Sequence, residues 1–185
     1  MSNLGKTCLI EWQVSRYVRP FNEDGRTFIR NAADSVLAAS RNGEVAVIPA
    51  KRVSRTLPAQ TPEPQRIPIP PTISHFVMNL PASAITFLPF YKGLYAGQEE
   101  LFAPHTITEL PMVHVHCFAL KSDDDVPKID ICERISDQLG MTMKHGDAQN
   151  AGEVSIHDVR DVAPAKRMFC ASFRLPPEFA FAPRT

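Results

Sequence analysis

Short apolar runs of strand length alternate along this chain with segments in which apolar residues recur every three or four positions. The first pattern is typical of buried strands and the second of amphipathic helices. Because strands that alternate with helices usually lie parallel, the order predicts an α/β fold with a mostly parallel sheet. The predicted strands are residues 14–21, 73–80, 112–120, 152–162 and 166–175, and the predicted helices follow Asp24, Pro81 and Asp125.

Residues suited to helix ends stand at the expected places. Asp24 can cap the first helix, Pro81 suits the first position of the second, and Gly140 can end the third. The run Asp123–Asp125 puts negative charge at a helix start, where the helix dipole favours it. We expect the first helix to end near Ser40 and the second near Leu94, and the third has its apolar stripe at Ile129, Cys132, Ile135 and Leu139.

Two segments depart from the alternation of strands and helices. The last two predicted strands are joined only by residues 163–165, which predicts an antiparallel hairpin at the sheet edge. Residues 41–71 hold seven of the 17 prolines together with several basic residues, and we expect an exposed, poorly ordered insertion there. The basic residues of the insertion could contact RNA, but a solvated loop is the simpler interpretation.

Composition and charge narrow the class of protein. The 185 residues contain 20 Lys and Arg against 20 Asp and Glu, so no overall field attracts nucleic acid or a membrane surface. Cys8, Cys117, Cys132 and Cys170 form no C-x-x-C pair, which favours reduced thiols in an intracellular protein. No apolar run approaches the roughly 20 residues of a membrane span, so we expect no membrane association.

Two short motifs could carry chemistry, because each follows a predicted strand. In open α/β sheets ligands bind beyond the carboxyl ends of the strands. The Asn79 amide, held before Leu80-Pro81, could bind a flat heterocycle, and Asp24-Gly25 could accept hydrogen bonds from an adenosine. Taken singly, each motif is explained as well or better by a helix cap. His114 and His116 could share a zinc ion, but no further ligand lies at suitable spacing, and we expect no metal.

Taken together, four stretches resemble one family. The stretches are Val18–Ile29 (VRPFNEDGRTFI), Val77–Ile85 (VMNLPASAI), Val113–Phe118 (VHVHCF) and Val159–Cys170 (VRDVAPAKRMFC). They resemble, in the same order, motifs in the C-terminal half of the eukaryotic and archaeal tRNA guanine-37 N1-methyltransferases. The similarity extends over about residues 14–177.

The resemblance implies a fold and a reaction. It implies an incomplete Rossmann-like class I methyltransferase domain that binds S-adenosyl-L-methionine and methylates N1 of guanosine 37 in tRNA. On that pattern Asp24 and Gly25 match the adenosine-contacting pair, and Asn79 matches the asparagine that positions the methionine end and the guanine. The resemblance also implies a monomer in the cytoplasm, the nucleus or the mitochondrial matrix.

The family also has parts that this sequence does not show. Residues 1–13 do not resemble it, no G-x-G loop is present to hold the cofactor, and no residue is a convincing general base. We therefore expect very weak cofactor binding by this chain alone, and two alternatives stay open: a non-catalytic remnant, and an aminocarboxypropyl transferase of wybutosine synthesis. The expected divisions are 1–13 (unrelated), 14–40 (strand and helix), 41–71 (insertion), 72–177 (C-terminal half of the methyltransferase domain) and 178–185 (tail).

Overall fold

The computed structural model describes residues 18–48 and 63–184, which form two compact units. The described part of the smaller unit comprises residues 18–24, 34–48 and 63–71, and that of the larger comprises 25–33 and 72–184. Helix α1 (Gly25–Arg41) contributes its first half to the larger unit and its second half to the smaller. The helix confirms the amphipathic pattern, since Ile29, Ala33 and Leu37 are all buried.

The smaller unit corrects two predictions. Strands β1 (Val45–Ile48) and β2 (Gln65–Pro68) pair antiparallel, so the flanks of the expected loop at 41–71 are ordered, while its residues 49–62 lie outside the described ranges. A proline at the end of a strand in a two-stranded sheet removes no central ladder bond, which reconciles the proline-rich sequence with pairing. Residues 18–21 form no strand, and Val18 and Phe21 are exposed. The rest of that predicted strand is not among the described residues.

The larger unit contains a five-stranded sheet. Its strands are β3 (His75–Met78), β4 (Met112–Leu120), β5 (Lys144–His145), β6 (Glu153–Ala163) and β7 (Lys166–Arg174), and they lie side by side in the order β3-β4-β7-β6-β5. Strand β4 has the predicted bounds and lies parallel to β3, whereas β7 lies antiparallel to both β4 and β6. The short strand β5 lies parallel to β6. The mixed α/β architecture and the C-terminal antiparallel hairpin are thus confirmed.

The connection between β3 and β4 differs from the predicted helix. After a turn, Ala84–Tyr91 form a 3₁₀ helix, followed by a second one at Glu99–Phe102 and by the short helix α2 (Thr106–Glu109). Pro89 explains the difference, because it has no N–H to donate to residue 85 and its ring opposes a regular α-helix. Ile85, Leu88 and Tyr91 of the first 3₁₀ helix are nevertheless buried.

Helix α3 (Val126–Leu139) packs on one face of the sheet and corrects the predicted stripe. Ile129 is 55% exposed, whereas Ile131, Cys132, Ile135 and Leu139 are buried. The stripe therefore follows the spacing i, i+1, i+4, i+8, which is the usual width of a core-facing helix surface. Gly140 ends the helix with a positive φ of 66°, as its sequence position predicts.

Strand β3 is less buried than its apolar sequence suggests. Val77 is 65% exposed, and only Phe76 and Met78 are half-buried. The reason is that β3 is the edge strand of the described sheet, so one of its two faces contributes to the core while its outer edge has no described neighbour. The prediction of a buried strand is therefore wrong at Val77.

The predicted tail also contains ordered structure. Helix α4 (Pro177–Ala180) has Phe179 and Ala180 buried, and the backbone carbonyls of these residues accept hydrogen bonds from Gly93 and Tyr95. Arg184 donates from its guanidinium to the carbonyl of Gly93 at 3.1 Å. These contacts make residues 177–184 part of the core unit instead of a loop.

Candidate functional site

Asn79 lies directly after β3, at the carboxyl end of that strand, and is exposed. The carbonyl of Leu80 accepts hydrogen bonds from the backbone N–H groups of Ser83, at 2.8 Å, and Ala84, at 2.7 Å. Pro81 thus stands inside this turn, not at the first position of a helix as predicted. Strand β3 holds the backbone before Asn79 and the turn holds the backbone after it, while the amide stays at the surface.

The turn is fastened to the neighbouring strand. Pairing between β3 and β4 ends where Met78 meets Val115, so β4 continues beyond the end of β3. Past that point the N–H of Phe118 donates to the carbonyl of Pro81 at 3.2 Å, and the carbonyl of Phe118 accepts from Nη2 of Arg134 at 2.9 Å. Both backbone groups of Phe118 are therefore satisfied although β3 no longer lies beside them.

Arg134 also lines a cavity of about 180 Å³ between this turn and helix α3. Its guanidinium lies 3.0 Å from the Asp130 carboxylate, one turn earlier on the same helix. Its Nε atom is buried and has no hydrogen-bond partner within the described ranges. The lining residues are Pro81, Ala82, Ser83, Ile85, Thr86, Arg134, Asp137 and Gln138. Nothing in the periodicity marks Arg134, because an arginine in an amphipathic helix ordinarily faces solvent.

Gly25 begins helix α1 and lies against the segment that follows Asn79. A Cβ at this position would be 3.1 Å from Cε1 of Phe87, a tight approach. The next residue, Arg26, places its guanidinium 5.1 Å from the centre of the Phe87 ring and 5.9 Å from that of Phe90. The missing side chain at Gly25 therefore lets the first turn of α1 approach the 3₁₀ helix closely.

Asp24 directly precedes α1 and is exposed. It belongs to the smaller unit, whereas Gly25 and Asn79 belong to the larger one. The interpretation that Asp24 and Asn79 line a common crevice stays a prediction.

The two histidines considered as a zinc pair have different surroundings. Nε2 of His114 lies 3.0 Å from Nδ1 of His75, and the two rings stack with their centres 5.3 Å apart. Nδ1 of His114 is hydrogen-bonded to Oγ of Ser172 at 2.8 Å. Partial burial and the neighbouring His75 and His116 lower the pKa of His114, so the neutral imidazole is favoured. Among the described residues no group of three or more His, Cys, Asp or Glu side chains could hold a metal ion.

Basic residues surround the end of the β6–β7 hairpin. Arg167 is held by the carboxylates of Asp158, at 2.9 Å, and Asp161, at 2.7 Å, and Lys121 also donates to Asp161. These hydrogen bonds lower the pKa of Asp161. Arg160 and Lys166, which flank the connection between β6 and β7, are exposed. Of the helices in the described ranges, none has the length and apolarity to cross a bilayer.

Comparison with known proteins places these features in context. The chain is 64% identical over 172 residues to a tRNA (guanine(37)-N(1))-methyltransferase of Fusarium vanettenii, an alignment that covers 93% of the chain and 37% of the relative. A protein of the same name from Neurospora crassa is 62% identical over 93% of the chain and 36% of its own length. The Schizosaccharomyces pombe protein of that name is 41% identical over 92% of the chain and 36% of its length.

The chain thus spans little more than a third of the length of these curated relatives. No family model matches it, and no solved structure does. Identities of this size over more than nine tenths of the chain confirm the resemblance noted in its sequence motifs. Over nearly its whole length, this chain is homologous to part of the fungal tRNA (guanine(37)-N(1))-methyltransferases.

Proposed function

We propose that this chain contributes the substrate-positioning part of an enzyme that transfers the methyl group of S-adenosyl-L-methionine to N1 of guanosine 37 in tRNA. The observation that carries the proposal is the Asn79 amide, exposed at the carboxyl end of a parallel strand in a chain 64% identical to a methyltransferase of that name. Parallel strands of an α/β sheet present ligands at that edge.

The strand arrangement supports a Rossmann-like class I methyltransferase domain. In such a domain the last strand of the chain inserts antiparallel between two earlier strands, and β7 lies in that way between β4 and β6. The helical segments on the face that carries the buried residues of β4 agree with that architecture. On this proposal Gly25 and Asp24 contact the adenosine of the cofactor.

The chemistry explains why an amide is needed. Guanine N1 carries a proton that must leave as the sulfonium methyl group arrives, so the base must be held in line with the cofactor. The Asn79 amide offers two donors and one acceptor, which suits the edge of guanine that presents a carbonyl oxygen and ring nitrogens. Its turn is tied to β4 through Phe118 and Pro81, which limits the motion of the amide.

The decisive experiment is a chimera in which residues 14–177 replace the aligned segment of the Neurospora crassa relative. We expect the chimera to methylate a tRNA transcript with guanosine at position 37 and to leave the adenosine-37 transcript unmodified. Asn79→Ala should lower the rate by about 100-fold, the size of effect seen when one positioning donor is removed. The matched control is Asn42→Ala, an exposed asparagine in the smaller unit, which should keep the full rate.

Two labels on the cofactor separate methyl transfer from the alternatives. Label in the methyl group should reach the RNA, whereas label in the aminocarboxypropyl side chain should not. Transfer of the side-chain label would establish the wybutosine-type reaction and contradict the proposal. A folded chimera that binds neither cofactor nor tRNA would establish a non-catalytic remnant.

As the location of the protein we propose an intracellular compartment: cytoplasm, nucleus or mitochondrial matrix.

A further inference from the structure

The sheet has two chemically different faces where β4, β7 and β6 lie side by side. Residues in register on neighbouring strands point to the same side, and successive residues of a strand point to opposite sides. Helix α3 and the first 3₁₀ helix pack on the face that carries Val113, Val115 and Cys117, which we call the first face. The second face carries, from strand to strand, the rows Phe118–Met168–Arg160 and Leu120–Lys166–Ala163 near the hairpin end.

Charge is divided unequally between these faces. In the described pairings of the three strands, the carboxylates are Asp158 and Asp161, and both are in register with residues of the first face. They are already bound there by Arg167 and Lys121. On the second face these pairings contain no carboxylate, and the nearest one on β6 is Glu153, at the far end of the strand beside Lys144. The second face does carry cations. They are Arg160, Lys166 and Arg174. The histidines on this face are His114, His116 and His157.

An aromatic ring lies among these cations at the hairpin end. Nζ of Lys166 is 4.1 Å from the centre of the Phe118 ring, and Leu120 beside it is 68% exposed. Phe118, Leu120, Pro164 and Lys166 line a shallow groove that is almost entirely apolar. A flat apolar surface with ammonium and guanidinium groups beside it can stack a nucleobase while the cations meet the flanking phosphates.

We propose that this end of the second face, defined by Phe118, Leu120, Arg160 and Lys166, binds an unpaired segment of RNA. One base stacks on Phe118 and the groove, and the flanking phosphates lie against Lys166 and Arg160. The proposal rests on the RNA substrate of the proposed function. The Asn79 turn is attached to the same strand end, because the backbone N–H of Phe118 donates to the carbonyl of Pro81.

Unpaired RNA fits this surface better than duplex does. A duplex buries the faces of its bases, so it can use the cations but not the Phe118 ring. The two kinds of contact can therefore be separated with two RNAs. The aromatic contact should act on single strands alone, and the cationic contact should act on both.

The test measures fluorescence anisotropy of the full chain with fluorescein-labelled oligouridylate and with a perfect RNA duplex of the same length, over a series of salt concentrations. Phe118→Leu should weaken single-strand binding about 5- to 10-fold and leave duplex binding unchanged. Phe118→Trp, which keeps an aromatic ring at this position, should show the preference for single-stranded RNA that Phe118→Leu loses. Lys166→Ala should weaken both and reduce the salt dependence of single-strand binding by roughly 0.7 in log–log slope. Far-ultraviolet circular dichroism and thermal unfolding confirm that each variant is folded.

Lys144→Ala is the matched control. Lys144 pairs with Glu153 at the other end of β6, ten residues and roughly 30 Å from the hairpin end, and it is equally exposed. This variant should bind like the unmodified chain. Equal losses for Lys144→Ala and Lys166→Ala would overturn the proposal, since RNA would then respond only to overall charge.

Equal effects of Phe118→Leu on both RNAs in a folded variant, or no binding by the unmodified chain, would overturn it as well. Neither result depends on cofactor. Failure here would leave the methyl-transfer chimera free to succeed, and failure of the chimera would leave RNA binding by the second face intact.

Discussion

The bond from Arg134 to the carbonyl of Phe118 gives a sharp prediction about the site. Where β4 runs past the end of β3, Arg134 supplies the donor that a neighbouring strand would otherwise provide. We expect Arg134→Met to remove that donor while keeping the aliphatic bulk and a similar helix propensity. A hydrogen bond with a charged partner contributes about 1.5–3 kcal/mol, so the expected loss is roughly 2 kcal/mol of the free energy of unfolding.

Asp130→Asn separates this bond from the ion pair on the same guanidinium. Both side chains of the pair are more than a third exposed, and such i,i+4 pairs contribute only about 0.3–0.5 kcal/mol. We therefore expect at least a threefold difference in cost between the two variants, measured by urea unfolding followed by circular dichroism. Equal costs in the two variants would refute the assignment.

Three further predictions follow from local chemistry. Because the pKa of His114 is lowered on folding, the unfolded chain binds that proton more readily, so the free energy of unfolding should fall as the pH drops below about 6.5. His114→Gln should flatten this dependence of the free energy of unfolding on pH, and an unchanged pH profile in that variant would contradict the prediction. Burial raises the pKa of Cys117 to about 11, so maleimide should label the half-buried Cys170 faster than Cys117. Peptide mapping measures both rates, and equal rates would contradict this prediction. Gly93→Ala should lower the free energy of unfolding, measured with urea, by about 2 kcal/mol or more, because a Cβ there would meet a backbone oxygen at 2.7 Å and the φ is positive. Gly97→Ala, where φ is also positive but the space is open, should lower it by about 1 kcal/mol. Equal losses in the two variants would refute the clash at Gly93.

The elements that could be predicted from the sequence are those with one dominant local signal. Strand β4 has a long apolar run, α1 has a regular stripe, and the β6–β7 hairpin has a short connection, and each was predicted near its observed bounds. The segment after Asn79 could not be predicted, since an apolar pattern cannot distinguish a 3₁₀ helix from an α-helix when Pro89 removes a donor.

The contacts around the site depend on pairs distant in sequence. Arg134 meets Phe118 only because α3 packs on β4, and His75 meets His114 only because β3 lies beside β4. Neither pairing has a signal in residue spacing. The prediction that Asn79 stands at the carboxyl end of a strand was correct, since it needs only the strand and the turn that follows it. The exposure of Val77 was missed because apolar content does not reveal whether a strand has a neighbour on each side.

The strand order also governs how the sheet can assemble. Strand β7 is the last strand of the sequence, yet it lies between β4 and β6 and forms the ladders with both of them. The earlier strands therefore have no way to join into one sheet during folding until β7 arrives, and the partners of β4 and β7 are 46 to 62 residues apart in the chain. Strand pairing between residues so far apart in the chain makes folding slow and cooperative. Slowest amide exchange is then expected at β4 and β7 together, with both strands opening in the same event.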